Sequence, residues 1–300
     1  MPAESPVQGR VVTAHGRHYG VELPDGRVHH CFPRGKKTDA AVGDQVMVRF
    51  QGNEEGVIEK RLERKNLLYR SDEMRTKQFA ANVDILLLVV ATTPAFSDDL
   101  IGRALVAASA AGIRPVIILN KADLVENLAQ ARQRLATYSK AGITVIELSA
   151  LNAEQVQTAL LDLICGKTAL LLGQSGMGKS TLLNALVPDA SAHTQEHSEA
   201  LDAGKHTTTT TRLYHLPQGG DLIDSPGFQN FGLFHLSEVE IQHGFAEFEP
   251  FLGECKFYNC THRHEPGCAI LAACKQGDIS AERHALYERI LAENEAQARY

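Results

Sequence analysis

The stretch that decides the fold reads Gly173-Gln174-Ser175-Gly176-Met177-Gly178-Lys179-Ser180 and follows an apolar run at 168–172. It fits the pattern G-x-x-x-x-G-K-[ST] of loops that bind nucleotide phosphates between a strand and a helix. The glycines let backbone N–H groups turn towards phosphate oxygens, and the helix N-terminus adds positive potential. We expect Lys179 to reach the β- and γ-phosphates, Ser180 to hold Mg²⁺ and Thr181 to reach the α-phosphate.

Strands and helices alternate on the N-terminal side of this loop. Apolar runs at 84–91, 114–119, 144–148 and 168–172 are separated by helical patterns at 98–111, 127–141 and 153–164. Such alternation predicts a parallel sheet with helices on both faces. In sheets of this kind ligands bind at the carboxyl ends of the strands. The polar motifs that follow these strands are therefore candidates for one shared site.

Two of these motifs indicate a guanine base. Asn120-Lys121-Ala122-Asp123 follows the strand at 114–119, and Ser149-Ala150 ends the next one. A carboxylate at Asp123 can accept from guanine N1–H and from the exocyclic amine, whereas adenine has neither donor and would leave it unpaired. The backbone at 149–150 is expected to contact guanine O6. Alone, Asp123 could equally cap the next helix.

A fourth motif, Asp224-Ser225-Pro226-Gly227, follows a short strand at 221–223. We expect Asp224 to hold Mg²⁺ through a water molecule and the Gly227 N–H to sense the γ-phosphate. An ordinary Asp-Ser-Pro-Gly turn is the alternative. Phe228 follows this motif directly, and a phenyl ring cannot orient a water molecule.

The two ends of the chain differ from the central part. Residues 1–66 contain short strands punctuated by turns, which favours a small barrel, with the oligonucleotide-binding (OB) fold a natural candidate. This segment has 11 Lys and Arg against 9 Asp and Glu, whereas the whole chain carries a net charge of −6. A mildly basic barrel is compatible with RNA binding, but a barrel that acts only as a spacer fits equally well.

Near the C-terminus the spacing is Cys255-x4-Cys260-x-His262-x5-Cys268. Three thiolates and one imidazole suit tetrahedral Zn²⁺, and four protein ligands leave no open position for catalysis. The spacing departs from common C-x-x-C knuckles, and Cys274 and His264 are nearby competitors. A structural zinc site is the prediction.

Composition excludes several protein classes. The 300 residues are 44% hydrophobic and 22% charged, which is typical of a globular chain with two or three domains. The longest apolar run has seven residues, whereas a membrane-spanning helix needs about 20. No apolar secretory segment is seen near the start, so we expect a cytoplasmic protein without a membrane partner, in which cysteines bind metal rather than form disulfides.

The order of the motifs points to a family. The base-reading motifs precede the phosphate-binding motifs, so the chain resembles a circularly permuted Ras-like GTPase. The segments Lys-Gln-Phe-Ala-Ala-Asn-Val-Asp at 77–84 and Gly-Lys-His-Thr-Thr-Thr at 204–209 narrow the resemblance. With the Cys/His spacing, they are similar to the bacterial ribosome-small-subunit-dependent GTPase A family. The resemblance implies an OB-fold barrel at 1–66, a circularly permuted α/β P-loop GTPase domain at 67–231 and a helical zinc-binding domain at 232–300.

The resemblance also implies a function. It suggests hydrolysis of GTP to GDP and phosphate with Mg²⁺, stimulated by the small (30S) ribosomal subunit late in its maturation, with the barrel and the zinc domain on ribosomal RNA. It offers His206 as the group that positions water, one of Thr207, Thr208 and Thr209 as a Mg²⁺ ligand, and a monomeric state. Two alternatives stay open: an RNA-binding checkpoint protein that senses guanine nucleotides, and a GTPase that acts on another RNA such as tRNA.

The predicted nucleotide-binding residues are Asn120, Lys121, Ala122, Asp123, Ser149, Ala150, Gly173, Gln174, Ser175, Gly176, Met177, Gly178, Lys179, Ser180, Thr181, Asp224 and Gly227. Lys179, Ser180 and His206 are the predicted catalytic residues. The predicted zinc ligands are Cys255, Cys260, His262 and Cys268.

Overall fold

The N-terminal strands of the computed structural model close into a barrel. The model describes residues 5–35, 39–50, 55–71, 76–188, 190, 210–227 and 231–297. The barrel strands are β1 (Val7–His15), β2 (His18–Glu22), β3 (Val28–Pro33), β4 (Gln45–Phe50) and β5 (Glu55–Arg61). Their order is β1-β2-β3-β5-β4, and an antiparallel β1–β4 pairing completes the ring. Val11, Val21, Val46 and Val48 fill the interior. This confirms the predicted OB-like barrel. Its strand β3 has no clear alternation of apolar and polar residues because it contains His29, His30 and Pro33.

A hairpin of β6 (Leu67–Ser71) and β7 (Thr76–Ala81) follows the barrel. Ser71 bridges to Leu233, and the ring of Phe79 stacks on Phe231 with centroids 5.5 Å apart. The hairpin therefore holds the segment that comes shortly after the Asp-Ser-Pro-Gly motif. The residues of these short strands show no periodic pattern that would predict them. Their pairing is seen only in the tertiary structure.

The central sheet has the predicted parallel architecture. Its strands are β8 (Ile85–Ala91), β9 (Arg114–Asn120), β10 (Thr144–Glu147), β11 (Thr168–Gly173), β12 (Thr211–His215) and β13 (Asp221–Asp224). Its helices are α1 (Asp98–Ala110), α2 (Leu128–Lys140), α3 (Ala153–Ile164) and α4 (Lys179–Leu186). The order is β10-β9-β8-β11-β13-β12, parallel except for β12. Every residue of β8 is buried, as expected for a strand covered on both faces.

The barrel and the central sheet are hydrogen bonded to each other. Strand β1 pairs with β12, so that Thr13 lies opposite Arg212. Arg10 of the barrel forms an ion pair with Asp221 at 2.5 Å. At the same junction, His215 of β12 contacts two carboxylates. Its Nε2 lies 3.0 Å from Glu22 of the barrel, and its Nδ1 lies 2.7 Å from Asp221. Backbone and charged contacts together fix the barrel against the sheet.

The His215 contacts make the junction sensitive to pH. Burial lowers the pKa of His215, but hydrogen bonds to Glu22 and Asp221 outweigh it, so the pKa lies above its ordinary value of 6.5. The protonated ring therefore stabilises the fold fully below pH 6.5, and this contribution is lost as the pH rises through the elevated pKa. Because 55% of the side chain is exposed, solvent screening limits the effect to less than about 1 kcal/mol, or about 1–3 °C. The melting temperatures of the protein and of His215→Gln, measured between pH 6 and 9, should differ by this amount only at the acidic end. A constant difference in melting temperature across the range would contradict the prediction.

The C-terminal part is helical and packs on α1. It contains α5 (Glu238–His243), α6 (Ala269–Gln276), α7 (Ala281–Gln297) and a 3-10 helix at Ala246–Phe251. Arg103 of α1 donates to Glu293 of α7 at 2.7 and 2.8 Å. Aromatic rings of Phe245, Phe248 and Tyr287 form its core. The sequence analysis missed α6, which begins directly after Cys268. Within the described ranges, no helix has the length and apolarity to cross a bilayer.

Candidate nucleotide site and metal site

The glycine-rich loop lies between β11 and α4, at the carboxyl edge of the parallel strands. Gly176 and Gly178 have φ of +80° and +91°, a region that residues with a Cβ avoid. A Cβ on Gly178 would also overlap the side-chain amide of Asn120. The predicted turn is therefore formed by glycines whose backbone conformation requires them.

The Asp-Ser-Pro-Gly motif meets this loop. A Cβ built on Gly227 would lie 3.3 Å from Lys179 Nζ and 3.3 Å from the Ser175 nitrogen, so the Gly227 backbone borders the phosphate-binding position. Lys179 Nζ donates to the carbonyls of Gly173 and Gln174 at 2.8 and 3.0 Å. These two carbonyls hold the ammonium at the loop.

Two buried charges face each other across this position. Burial raises the pKa of Asp224 to about 6, against the opposing effect of Lys179. Burial also lowers the pKa of Lys179, against the effect of Asp224. The Oδ1 atom of Asp224 is buried without a hydrogen-bond partner among the described residues. Such a carboxylate oxygen is suited to accept from a metal-bound water.

The base-reading motifs join the phosphate loop through Asn120. Its amide nitrogen donates to the Met177 carbonyl at 2.9 Å, and its Oδ1 accepts from the Ala150 N–H at 2.8 Å. Ser149 donates to the Asp123 carboxylate. One buried side chain thus ties three motifs together. The Ala150 N–H is engaged by Asn120 here, and its contact with guanine O6 stays a prediction.

Lys121, the residue that follows β9, supports the same arrangement. Its φ is +60°, and its Nζ donates to the carbonyls of Thr93 and Gly176, both at 2.8 Å. The ammonium therefore bridges the loop after β8 and the phosphate loop.

Some supporting residues escaped the sequence analysis. Gln155 of α3 accepts from the Ser149 N–H through Oε1 at 3.0 Å. Ser97 is another: its N–H donates at 3.0 Å to Gln174, which was itself predicted, and this bond links the phosphate loop to the start of α1. Thr93 offers its carbonyl to Lys121. The signal for Thr93 was available, since Thr92-Thr93-Pro94 follows the buried β8 at the functional edge. Nothing in the sequence distinguishes Gln155 from other helical glutamines.

The predicted catalytic and switch residues His206, Thr207, Thr208 and Thr209, together with Phe228, lie outside the described residues. Their roles stay predictions. Lys179, Ser180 and Thr181 occupy the first turn of α4, as expected.

The four predicted metal ligands converge in the C-terminal part. Atoms of Cys255, Cys260, His262 and Cys268 all lie within 4.8 Å of one another. The Nδ1 atom of His262 is 3.5 Å from the Sγ atoms of Cys255 and Cys268, and these sulfurs are 3.9 Å apart. Burial lowers the pKa of His262, which favours the neutral imidazole that metals bind. Neither Cys274 nor His264 belongs to this group of ligands.

Backbone groups orient the ligands. The Cys268 sulfur caps α6 by accepting from the Leu271 N–H at 3.5 Å, and Cys255 Sγ accepts from the Ala269 N–H at 3.3 Å. The Glu265 carboxylate accepts from the backbone at 261, 263 and 264 and so fixes the loop between the ligands. The Leu271 N–H favours the thiolate of Cys268, although burial outweighs it and raises the pKa of this thiol.

Comparison with known proteins agrees with this geometry. The model of the family described as RsgA GTPase matches residues 61–234. The chain belongs to the RsgA GTPase family. Two curated relatives carry the name "Small ribosomal subunit biogenesis GTPase RsgA". The Bordetella pertussis protein is 61% identical over 98% of both chains. The Burkholderia pseudomallei protein is 55% identical over 95% of this chain and 92% of its own length.

Solved structures show the same architecture. YjeQ from Thermotoga maritima has a TM-score of 0.73 and 31% identity, covering 96% of this chain and 98% of its own. YloQ, described as a circularly permuted GTPase, has a TM-score of 0.70 and 27% identity, covering 99% and 97%. The predicted family and the circularly permuted fold are confirmed. As a member of the RsgA GTPase family, the chain is a GTP-hydrolysing enzyme.

Proposed function

We propose that this enzyme hydrolyses GTP on the small ribosomal subunit and acts in the maturation of that subunit. The curated relatives that match almost the full chain are named for biogenesis of the small subunit. The observation that carries the proposal is the junction at Asn120, where base-reading and phosphate-binding motifs from distant parts of the chain meet. A pocket assembled in this way selects guanine at one end and holds a triphosphate at the other.

Each motif has one role in the proposed site. Asp123, held by Ser149, accepts from the guanine N1–H and amine. Residues 173–178 surround the phosphates with backbone N–H groups, and Lys179 exchanges its two carbonyl partners for phosphate oxygens. Gly227 lies where its N–H can donate to the γ-phosphate. Ser180, Asp224 through a water molecule and one of Thr207, Thr208 and Thr209 would hold Mg²⁺, which would supply positive charge against the phosphates. The unpaired Asp224 oxygen supports this assignment.

We assign to His206, which the family resemblance offers, the positioning of the attacking water, a role for which Phe228 has no polar group. Replacement of His206 by Ala should lower subunit-stimulated turnover by about 10²–10⁴-fold, the usual contribution of a general base. Nucleotide affinity should be unchanged, since the phosphate and base contacts lie elsewhere. Single-turnover hydrolysis and calorimetric titration with a GTP analogue measure the two quantities. Unchanged stimulated turnover would remove His206 from the mechanism.

For the metal site we propose one structural zinc ion. A tetrahedral ion with bonds of about 2.3 Å to sulfur and about 2.0 Å to nitrogen requires about 3.8 Å between sulfurs and about 3.5 Å between sulfur and nitrogen. The distances of 3.9 and 3.5 Å fit this requirement. Cys255, Cys260, His262 and Cys268 would complete the coordination and keep the C-terminal loop folded.

One binding experiment tests the proposed partner. The protein should pellet with small subunits and not with large subunits or tRNA, and small subunits should raise its GTP turnover. Binding without stimulation would instead favour a checkpoint protein that only senses guanine nucleotides. Association with tRNA would favour a GTPase that acts on another RNA.

We further propose that the barrel and the C-terminal part contact ribosomal RNA. We also propose that the protein is a monomer and lies in the cytoplasm, where ribosomal subunits mature.

A further inference from the structure

The turn between the first two metal ligands presents two aromatic rings to solvent. We call residues 256–259, Lys-Phe-Tyr-Asn, the aromatic turn. Tyr258 is 103% exposed and Phe257 is 41% exposed. A single exposed apolar side chain is ordinary, but adjacent exposed rings on one turn are typical of a binding surface. Neither ring takes part in the metal site or the nucleotide site.

The aromatic turn is held rigidly. Its two ends are the metal ligands Cys255 and Cys260. The Lys256 N–H donates to the Gly267 carbonyl at 3.0 Å, and the Cys260 N–H donates to the Phe257 carbonyl at 3.3 Å. Gly267 has a φ of +75°, and a Cβ there would lie 2.9 Å from the Lys256 side chain. Rings on a fixed backbone lose little conformational entropy when they bind a partner.

The aromatic turn carries one cation within an acidic module. Residues 232–300 contain 6 Lys and Arg and 11 Asp and Glu, and residues 256–259 contain Lys256 and no acidic residue, whereas the nearby Arg263 is paired with Glu295. The neighbouring Glu265 carboxylate is occupied by backbone N–H groups. The Lys256 ammonium lies 5.5 Å from the centre of the Phe257 ring. A cation beside exposed rings matches a partner that carries both a flat base and a phosphate.

We propose that the aromatic turn is a stacking platform for an unpaired RNA base, with Tyr258 against the base and Lys256 near a flanking phosphate. Single-stranded RNA is recognised in this way because its unstacked bases can lie on aromatic rings. The inference rests on the proposed function, since it takes the RNA to be that of the small subunit. A protein partner fits these observations less well. It would need a pocket that matches the projecting Tyr258 ring, and it would make no use of the Lys256 ammonium.

The test uses the full chain and four proteins: wild type, Tyr258→Ala, Tyr258→Phe and the control Val239→Ala. Val239 is 58% exposed on α5 of the same module. Affinity for small subunits is measured by sedimentation, and ultraviolet cross-linking to a uridine decamer is mapped by mass spectrometry. Zinc content and basal GTP turnover should be equal in all four proteins, because Tyr258 touches neither site.

We expect Tyr258→Ala to weaken subunit binding by about 5- to 100-fold, the range for loss of one base–ring stack. Tyr258→Phe should stay within about threefold of wild type because the ring face is kept. The decamer should cross-link to the peptide with residues 256–259. Wild-type affinity of Tyr258→Ala without this cross-link would overturn the proposal, as would an affinity loss accompanied by a cross-link of the turn to a ribosomal protein. If wild type does not bind subunits at all, the proposed function fails, and the decamer cross-link alone decides whether the turn is an RNA platform.

Discussion

Replacement of Asp123 by Asn should convert this GTPase into an enzyme that prefers xanthosine triphosphate. The carboxylate is placed by the Ser149 hydroxyl at the base-reading edge and accepts two hydrogen bonds from guanine in the proposed site. An amide at the same place offers one acceptor and directs N–H donors at the donors of guanine. Xanthine has a carbonyl where guanine has its amine, so it can accept from the new amide. We expect GTP affinity to fall by about 10²–10⁴-fold, the range for sites that lose buried polar partners.

Calorimetry with both nucleotides measures this exchange, and turnover at saturating xanthosine triphosphate shows whether the catalytic groups are intact. Asp162→Asn, an exposed carboxylate on α3, is the matched control and should behave as wild type. Ser149→Ala removes only the positioning hydrogen bond and should cost about 3- to 10-fold in GTP affinity. Retained preference for GTP in Asp123→Asn would show that the base lies elsewhere and would remove the support for the proposed pocket.

Replacement of Cys268 by Ser should remove the metal and unfold much of the C-terminal part. The Cys268 sulfur is buried, lies 3.9 Å from Cys255 Sγ and caps α6. A serine hydroxyl stays protonated at neutral pH and is a poor zinc ligand, so three ligands would remain. The free energy of binding a structural zinc ion contributes directly to folding, and it is about 10–16 kcal/mol in isolated zinc-finger peptides. The variant should therefore lose much of the stability of the C-terminal part. We expect zinc to fall from one equivalent to less than about 0.1.

Two cysteine variants separate the metal effect from a general one. Cys165→Ser alters an exposed thiol far from the cluster, and Cys274→Ser alters the nearby competitor that lies outside it. Both should keep one equivalent of zinc by elemental analysis and the same proteolysis pattern as wild type. In Cys268→Ser, cleavage should concentrate in residues 252–268, whereas nucleotide binding should persist. Full zinc content in Cys268→Ser, or loss of zinc in Cys274→Ser, would contradict the proposed ligand set.

The chemistry-bearing motifs could be found from the sequence because each is short and has fixed spacing. The loop at 173–180 is recognised by its glycines at fixed spacing. A positive φ at Gly176 and Gly178 explains why two of these positions require glycine. The Cys/His spacing predicted four metal ligands, and the structure places their donor atoms within 4.8 Å of one another. The rotated order of the motifs indicated a circular permutation, which the structural relatives confirm. In each case the residue type itself carries the chemical requirement.

The contacts between distant segments could not be found in this way. Asn120 was expected to be part of a base-reading motif, but only the fold shows that its two polar atoms join Met177 and Ala150. The pairing of β1 with β12 and the hairpin at 67–81 against Leu233 are likewise absent from any local pattern. Hydrogen bonds of this kind depend on the register of strands far apart in the chain.

The sequence by itself therefore determined which chemical groups this protein possesses: a glycine-rich loop of the phosphate-binding pattern, a carboxylate proposed to select guanine and a Cys/His motif of four predicted metal ligands, since these are set by residue types at short spacings. Only the tertiary structure decided how the groups are joined. It placed the barrel edge on the central sheet, made Asn120 the junction of the nucleotide site and left Tyr258 projecting into solvent. The physical reason is that local spacing specifies the donors and acceptors of a site, whereas burial and partner choice arise from packing between segments that are remote in sequence.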